Sequence, residues 1–347
     1  MASSVTVRAP AKVNLGLRIV GCREDGYHLL ESLFVPLALA DVLHFEFGAG
    51  AGVQLEVAPA SSLPADTPLP VAADNLVTRA VEGFCALSGE APRVSIRLEK
   101  AIPVGAGLGG GSSDAGAVLR VLAARDREGR VSPEALHALA TRLGADVPFF
   151  LDPRPSQVSG IGENLQPSDD VPELPLVLVN PGQSLATAAV FEAFADTGAA
   201  LTQAPPGSTM RTLEGPLGRK NAAESTDSTT RAQPHPTRPH GSRLQAESLA
   251  EAFDSGLLHN DLEAAATRLC PAIAESKRRL GDVGARWVAM SGSGATVYGI
   301  FDDQASAERA NEELDAKPPV WTTVTRTTGQ PGSSSTRRHQ TTPGTGN

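Results

Sequence analysis

Residues 103–115, PVGAGLGGGSSDA, place five glycines, at 105, 107, 109, 110 and 111, between a strand pattern and a helix pattern. Upstream, Val94, Ile96 and Leu98 alternate with polar neighbours, the period of a half-buried strand. Downstream, Ser112-Ser113-Asp114 offers N-cap chemistry to an apolar segment running through Ala117, Val118 and Leu122. Glycines let backbone N–H groups turn inward without Cβ clashes, and a helix N-terminus adds positive potential. Such a loop suits a polyanion, so a phosphate-bearing ligand is the first expectation.

Two common phosphate folds do not fit. Gly105, Gly107 and Gly110 satisfy G-x-G-x-x-G, but a dinucleotide fold wants that motif at the first strand, with an acid about 20 residues on. Here the acids downstream, Asp126 and Glu128, fall in a turn between helices. The Walker pattern fails because no Lys-Ser or Lys-Thr follows the last glycine.

The length of 347 residues suggests two domains. A formal charge of −9 argues against nucleic acid, which would call for a basic face. Cys22, Cys85 and Cys270 form no metal-ligand cluster, and their odd, scattered set suggests reduced thiols. No signal peptide pattern is seen, and no apolar run reaches the roughly 18 residues of a membrane span. The expectation is a soluble, cytoplasmic protein without a membrane partner.

Residues 1–8 and 13–20 carry strand alternation, and 29–47 continue it across Pro36. Asp74-Asn75 caps a helix ending near Gly89, and Ser132-Pro133 opens another that stops at Gly144. A strand at 176–180 and a helix near 187–196 follow. Residues 200–245 are rich in Pro, Thr, Ser, Gly and Arg, and are expected to be a disordered insertion. Helical patterns resume at 247–258, 261–269, 271–280 and 304–316, and strand patterns at 285–290, 296–301 and 319–325. Residues 327–347 have the composition of a disordered tail. The class is α+β, divided as 1–155 and 156–326 plus the tail.

Three further segments carry chemistry. PAKVNLGLRIVG followed by DGYHLLESLF (residues 10–34) sets Lys12 and Asn14 on one strand face and presents Tyr27-His28 after a turn. GADVPFF (144–150) holds one acid in an apolar, Pro-marked stretch, and MSGSGAT (290–296) is a second glycine turn. Taken singly, Asp146 reads as an N-cap before Val147-Pro148, and Lys12 as a solvated strand lysine. Phe191 fits a helix core beside Val190 and Phe194 as well as it fits a ligand pocket.

In order and in content, Lys12 within PAKVNL, the loop 103–115, GADVPFF and SGSGA resemble the GHMP kinases. The DGYH segment, with SGIGE (159–163), NPG (180–182) and NDLE (260–263), narrows the resemblance to members acting on a cytidine-diphosphate-linked methylerythritol. The resemblance implies an N-terminal domain like the second domain of ribosomal protein S5 and a ferredoxin-like C-terminal domain. It also implies phosphorylation of the 2-hydroxyl by ATP with Mg²⁺, in the non-mevalonate route to isoprenoid precursors, by a monomer or homodimer.

Site roles follow from the resemblance at matching positions. Asp146 would accept the proton of the attacking hydroxyl, and Lys12 beside it would favour the anionic forms. Pro103, Val104, Gly105, Ala106, Gly107, Leu108, Gly109, Gly110, Gly111, Ser112 and Ser113 would line the ATP site, with Lys100 and Asn75. Asn14, Tyr27, His28, Thr187 and Phe191 would hold the acceptor, the cytosine lying between Tyr27 and Phe191 and bonded by His28. Gly292 and Gly294 would allow close backbone approach to the phosphates, and no residue is assigned to Mg²⁺. Other alcohol kinases of the family, for example on mevalonate or homoserine, have no use for a base-holding pocket. A catalytically silent nucleotide-binding protein would be expected to lack Lys12 or Asp146.

Overall fold

The computed structural model describes residues 3–48, 51–63, 69, 75–168, 171–197, 252–253, 258–315 and 321–329. Two 20-residue strands, β1 (Ser3–Cys22) and β2 (His28–Phe47), pair antiparallel from Ser3↔Phe47 to Cys22↔His28. The stretches 1–8 and 13–20 are therefore one strand. A register shift between Pro10 and Lys12 breaks the two-residue period, which is why the pattern suggested two.

The remaining strands of this sheet are β3 (Gly52–Pro59), β4 (Arg93–Lys100), β5 (Ser156–Ser159) and β6 (Asn164–Pro167). Its order is β3-β4-β2-β5-β6, with β1 on the other side of β2; β3 and β4 pair in parallel and the other described pairs are antiparallel. Alternation does not mark β5 or β6, which are four residues long and too short to show a period. β3 does alternate, through the partly buried Val53, Leu55 and Val57, and is an addition to the strands expected above. Helices α1 (Leu76–Ser88), α2 (Gly110–Arg125) and α3 (Pro133–Leu143) close one core around Phe45, Ile96, Val81, Phe84 and Val118. Asn75 caps α1 through Val77 N at 3.0 Å, Gly89 ends it in the left-handed region, and Ser132 caps α3 through Ala135 N at 3.2 Å.

The second sheet runs β10-β7-β9-β8, all antiparallel: β7 (Pro175–Asn180), β8 (Trp287–Met290), β9 (Val297–Ile300) and β10 (Trp321–Arg326). With α6 (Ala272–Asp282) before β8 and α7 (Gln304–Asp315) before β10, this is the βαββαβ arrangement called ferredoxin-like. Among the described residues, α4 (Thr187–Ala195) and α5 (Glu263–Leu269) stand between β7 and α6.

The middle of β1, from Ala11 to Ile19, is buried on both faces because the second sheet packs where solvent would otherwise be. Bridges Leu17↔Asn260 and Leu37↔Thr327, and the Tyr298 hydroxyl donating to Asn14 O at 2.9 Å, stitch the two halves together. Thr327 and Thr328, assigned to a tail by composition, are thus part of the joint: Thr327 is buried and Thr328 N bonds Pro36 O at 2.8 Å. The insertion 200–245, most of the 247–258 helix pattern and the rest of the tail lie outside the described residues. Cys22, Cys85 and Cys270 are free.

Candidate active site

The glycine loop joins β4 to α2, and the carbonyls of residues 106–108 are turned away from the cleft. Ala106 O accepts from Thr296 N at 3.3 Å, Gly107 O from the Ser291 hydroxyl at 3.0 Å, and Leu108 O from Lys12 N at 2.9 Å. In a trans peptide the N–H points opposite its C=O, so the amides of residues 107–109 face the other way, into the cleft. Helix α2 starts at Gly110, with Gly109 as cap in the left-handed region (φ 72°). The expected cap of Ser112, Ser113 and Asp114 is a correction: all three lie within the first turns, and Ser113 N bonds back to Gly109 O at 2.8 Å. The amides of residues 110–112 have no partner inside the helix and complete the anion-binding surface.

Three buried polar atoms beside this helix start lack a protein partner: Asn75 Nδ2, Ser113 Oγ and Asp114 Oδ1. Asn75 therefore caps α1 with its oxygen and keeps a spare donor. Lys100 is only 2 % exposed and donates to both Asp41 and Asp114, the latter at 2.7 Å.

Lys12, 3 % exposed, extends from β1 to the base of the loop. Its ammonium donates to Asn14 Oδ1 at 2.6 Å, lies 3.4 Å from Asp146 Oδ2 and sits 4.6 Å from the centre of the Phe34 ring. A buried ammonium needs such partners. Asn14 is held in turn by Ser32, which accepts its amide at 2.8 Å and donates to Gly16 O at 2.7 Å.

Asp146 precedes a single 3₁₀ turn (Pro148–Leu151) packed through Pro148, Phe149 and Phe150. The cap position belongs to Val147 and makes no side-chain bond, so Asp146 is not the cap that local sequence suggested. Its side chain is 30 % exposed, beside Lys12, which leaves one carboxylate edge open to the cleft. Gly116 lets α2 approach this turn: a Cβ there would lie 2.9 Å from Phe150 C and O. Arg120, one turn on, donates to Phe150 O and, at 3.1 Å, to Arg8 O.

The second glycine turn closes the loop from above. A Cβ on Gly107 (φ 76°) would run into Ser291 O and come within 2.9 Å of Gly294 O; one on Gly292 would meet Lys12 Nζ at 3.5 Å. Asn260, in the NDLE segment that sequence reasoning left without a role, holds this turn. Its Nδ2 donates to Met290 O at 2.9 Å and Gly292 O at 2.8 Å.

The Thr187 and Ser293 hydroxyls lie 3.0 Å apart, which sets α4 against the same turn. On α4, the Phe191 ring stacks on His28 with centroids 5.2 Å apart, and Phe194 meets His28 edge-on at 5.9 Å. Tyr27 is 60 % exposed. His28, rather than a gap for a base, thus covers one face of Phe191.

Chemically the site offers inward amides for phosphates and, at their edge, an ammonium–carboxylate pair. The GHMP kinases N terminal domain matches residues 75–152, and the GHMP kinases C terminal domain matches 244–320. Fold and site define a GHMP kinase, a kinase of small molecules. The 4-diphosphocytidyl-2-C-methyl-D-erythritol kinase of Granulibacter bethesdensis is 40% identical over 315 residues, 89% of either chain. A crystal structure of 4-(cytidine 5'-diphospho)-2C-methyl-D-erythritol kinase is 35% identical with a TM-score of 0.66, covering 94% of this chain and all of that one. The chain belongs to the 4-diphosphocytidyl-2-C-methyl-D-erythritol kinase family. Homoserine kinase from Cytophaga hutchinsonii, at 18% identity and a TM-score of 0.61, shares the fold alone. Among the described residues no helix is long and apolar enough to cross a membrane.

Proposed function

We propose that the chain transfers the γ-phosphoryl group of ATP to the 2-hydroxyl of 4-diphosphocytidyl-2-C-methyl-D-erythritol, giving the 2-phosphate and ADP. It would do so in the cytoplasm, in the non-mevalonate route to isoprenoid precursors. The observation that carries the mechanism is the Lys12–Asp146 pair at the foot of the glycine loop. The family relationship carries the choice of acceptor.

Asp146 takes the hydroxyl proton as the oxygen–phosphorus bond forms and the bond to the β-phosphate oxygen breaks. Lys12 stabilises charge building on the acceptor oxygen and the transferred group, and Asn14 holds the ammonium in place. Loop residues 103–113 hold the phosphates. Asn75, with its spare amide donor, contributes to the nucleotide pocket. His28, Tyr27, Phe191 and Thr187 form the acceptor side, where the exposed Tyr27 ring and the His28–Phe191 stack present aromatic surface to a base.

Mg²⁺ would be held through the substrate phosphates and a few protein oxygens. The Ser113 hydroxyl, buried without a hydrogen-bond partner, or Ser112 beside it would supply such an oxygen. Mg²⁺ would neutralise phosphate charge.

ADP release with ATP and Mg²⁺, offered 4-diphosphocytidyl-2-C-methyl-D-erythritol, mevalonate and homoserine in parallel, tests the assignment. Turnover with the cytidylyl acceptor alone is expected; preference for either other alcohol would overturn the reading of the acceptor side. Gly116→Ala tests the placement of Asp146. Alanine favours helix, so α2 should persist, but the added methyl must push the Phe150 turn away. The expected result is a loss of about 10²-fold in kcat with little change in KM for ATP, read by steady-state kinetics.

A further inference from the structure

The glycine loop stands on a buried charged cluster to which the chemistry above gives no role. Asp41 on β2, Lys100 at the end of β4 and Asp114 on α2 are each no more than 2 % exposed. Asp41 Oδ1 accepts the amides of Ala101 at 2.6 Å and Ile102 at 2.9 Å, the two residues entering the loop, and its Oδ2 takes Lys100 Nζ. Lys100 also reaches Asp114 Oδ2 at 2.7 Å, in the second turn of the helix into which the loop runs. A Cβ on Gly110 would lie 3.3 Å from the Lys100 ammonium, which therefore sits directly beneath the helix start.

Resting on the reading that ATP phosphates bind this loop, we propose that Asp41, Lys100 and Asp114 are positioning residues. They tie the entry of the loop to its exit and so hold its amides in place beneath the phosphates.

Asp41 takes three donors, the two entry amides and Lys100, while Asp114 is held by Lys100 through Oδ2. For Lys100, burial acts downward, but Asp114 and Asp41 outweigh it and raise the ammonium, so the tie is a charged one. The other cations near α2 are engaged elsewhere: Lys12 of β1 with Asn14 and Asp146, and Arg120 of α2 with the Phe150 and Arg8 carbonyls.

The test is ATP affinity by calorimetry for the wild type, Asp114→Leu and Asp114→Asn, alongside KM for ATP and for the acceptor. Asp114→Leu cuts the tie between entry and exit, and should raise Kd and KM for ATP about tenfold while sparing KM for the acceptor. Asp114→Asn keeps the shape and an oxygen for Lys100, so it should recover most of the affinity lost in Asp114→Leu. A wild-type Kd in folded Asp114→Leu, or an equal rise in KM for the acceptor, would remove the positioning role. A wild type that binds no ATP would overturn the reading of the loop itself, whereas ATP binding without turnover would fault only the acceptor.

Discussion

Asp146→Asn should lower kcat by about 10²- to 10⁴-fold, the usual contribution of a positioned general base, while leaving the KM values and the melting temperature close to those of the wild type. The split is expected because the side chain is partly exposed and caps nothing. Asparagine fills the same space and still offers Lys12 an oxygen, so the buried ammonium keeps its contacts with Asn14 and Phe34. What asparagine cannot do is accept the hydroxyl proton. Steady-state kinetics with thermal unfolding of the same sample decide the matter. A rate near wild type would remove Asp146 from the chemistry, and a collapse in stability would reassign it to the fold.

Gly107→Ala should cost both stability and nucleotide binding. At φ 76° an L-residue is strained, and here the added Cβ would also strike the backbone of the second glycine turn at Ser291 and Gly294. Neither partner can rotate aside, because Asn260 pins the turn through Met290 O and Gly292 O, and Ser291 is bonded to the loop itself. The loop must therefore lift from the turn. A loss of about 3 kcal/mol in unfolding free energy is expected. An increase of at least tenfold in KM for ATP should accompany it, since the inward amides are aimed by the bonds at Ala106, Gly107 and Leu108 that the shift would break. Denaturant unfolding and ATP titration measure the two effects separately. Unchanged values in both would show that the loop does not depend on this contact.

Much of this molecule was legible because its signals are local. The glycine run, the Asn75 and Ser132 caps, the Gly89 stop and the strand–helix alternation of the second half act within a few residues, and each appears where sequence placed it as far as the described residues reach. Local rules failed where a contact from elsewhere was stronger. Ser112, Ser113 and Asp114 looked like a cap, yet the left-handed Gly109 starts the helix a turn earlier and Lys100 draws Asp114 inside. Thr327 looked like tail, yet it is buried against β2.

The amino-acid order alone determined the class of fold, the glycine loop and the family, because backbone freedom and periodicity are properties of neighbouring residues. Only the tertiary structure decided what the charged residues do. Asp146 is released from capping because Val147 takes that position and Lys12 arrives from a strand 134 positions away (146 minus 12). Lys100 is drawn beneath the loop because two carboxylates from different elements meet it there. Charge interacts through space, and the distances that set its strength exist only once the chain has folded.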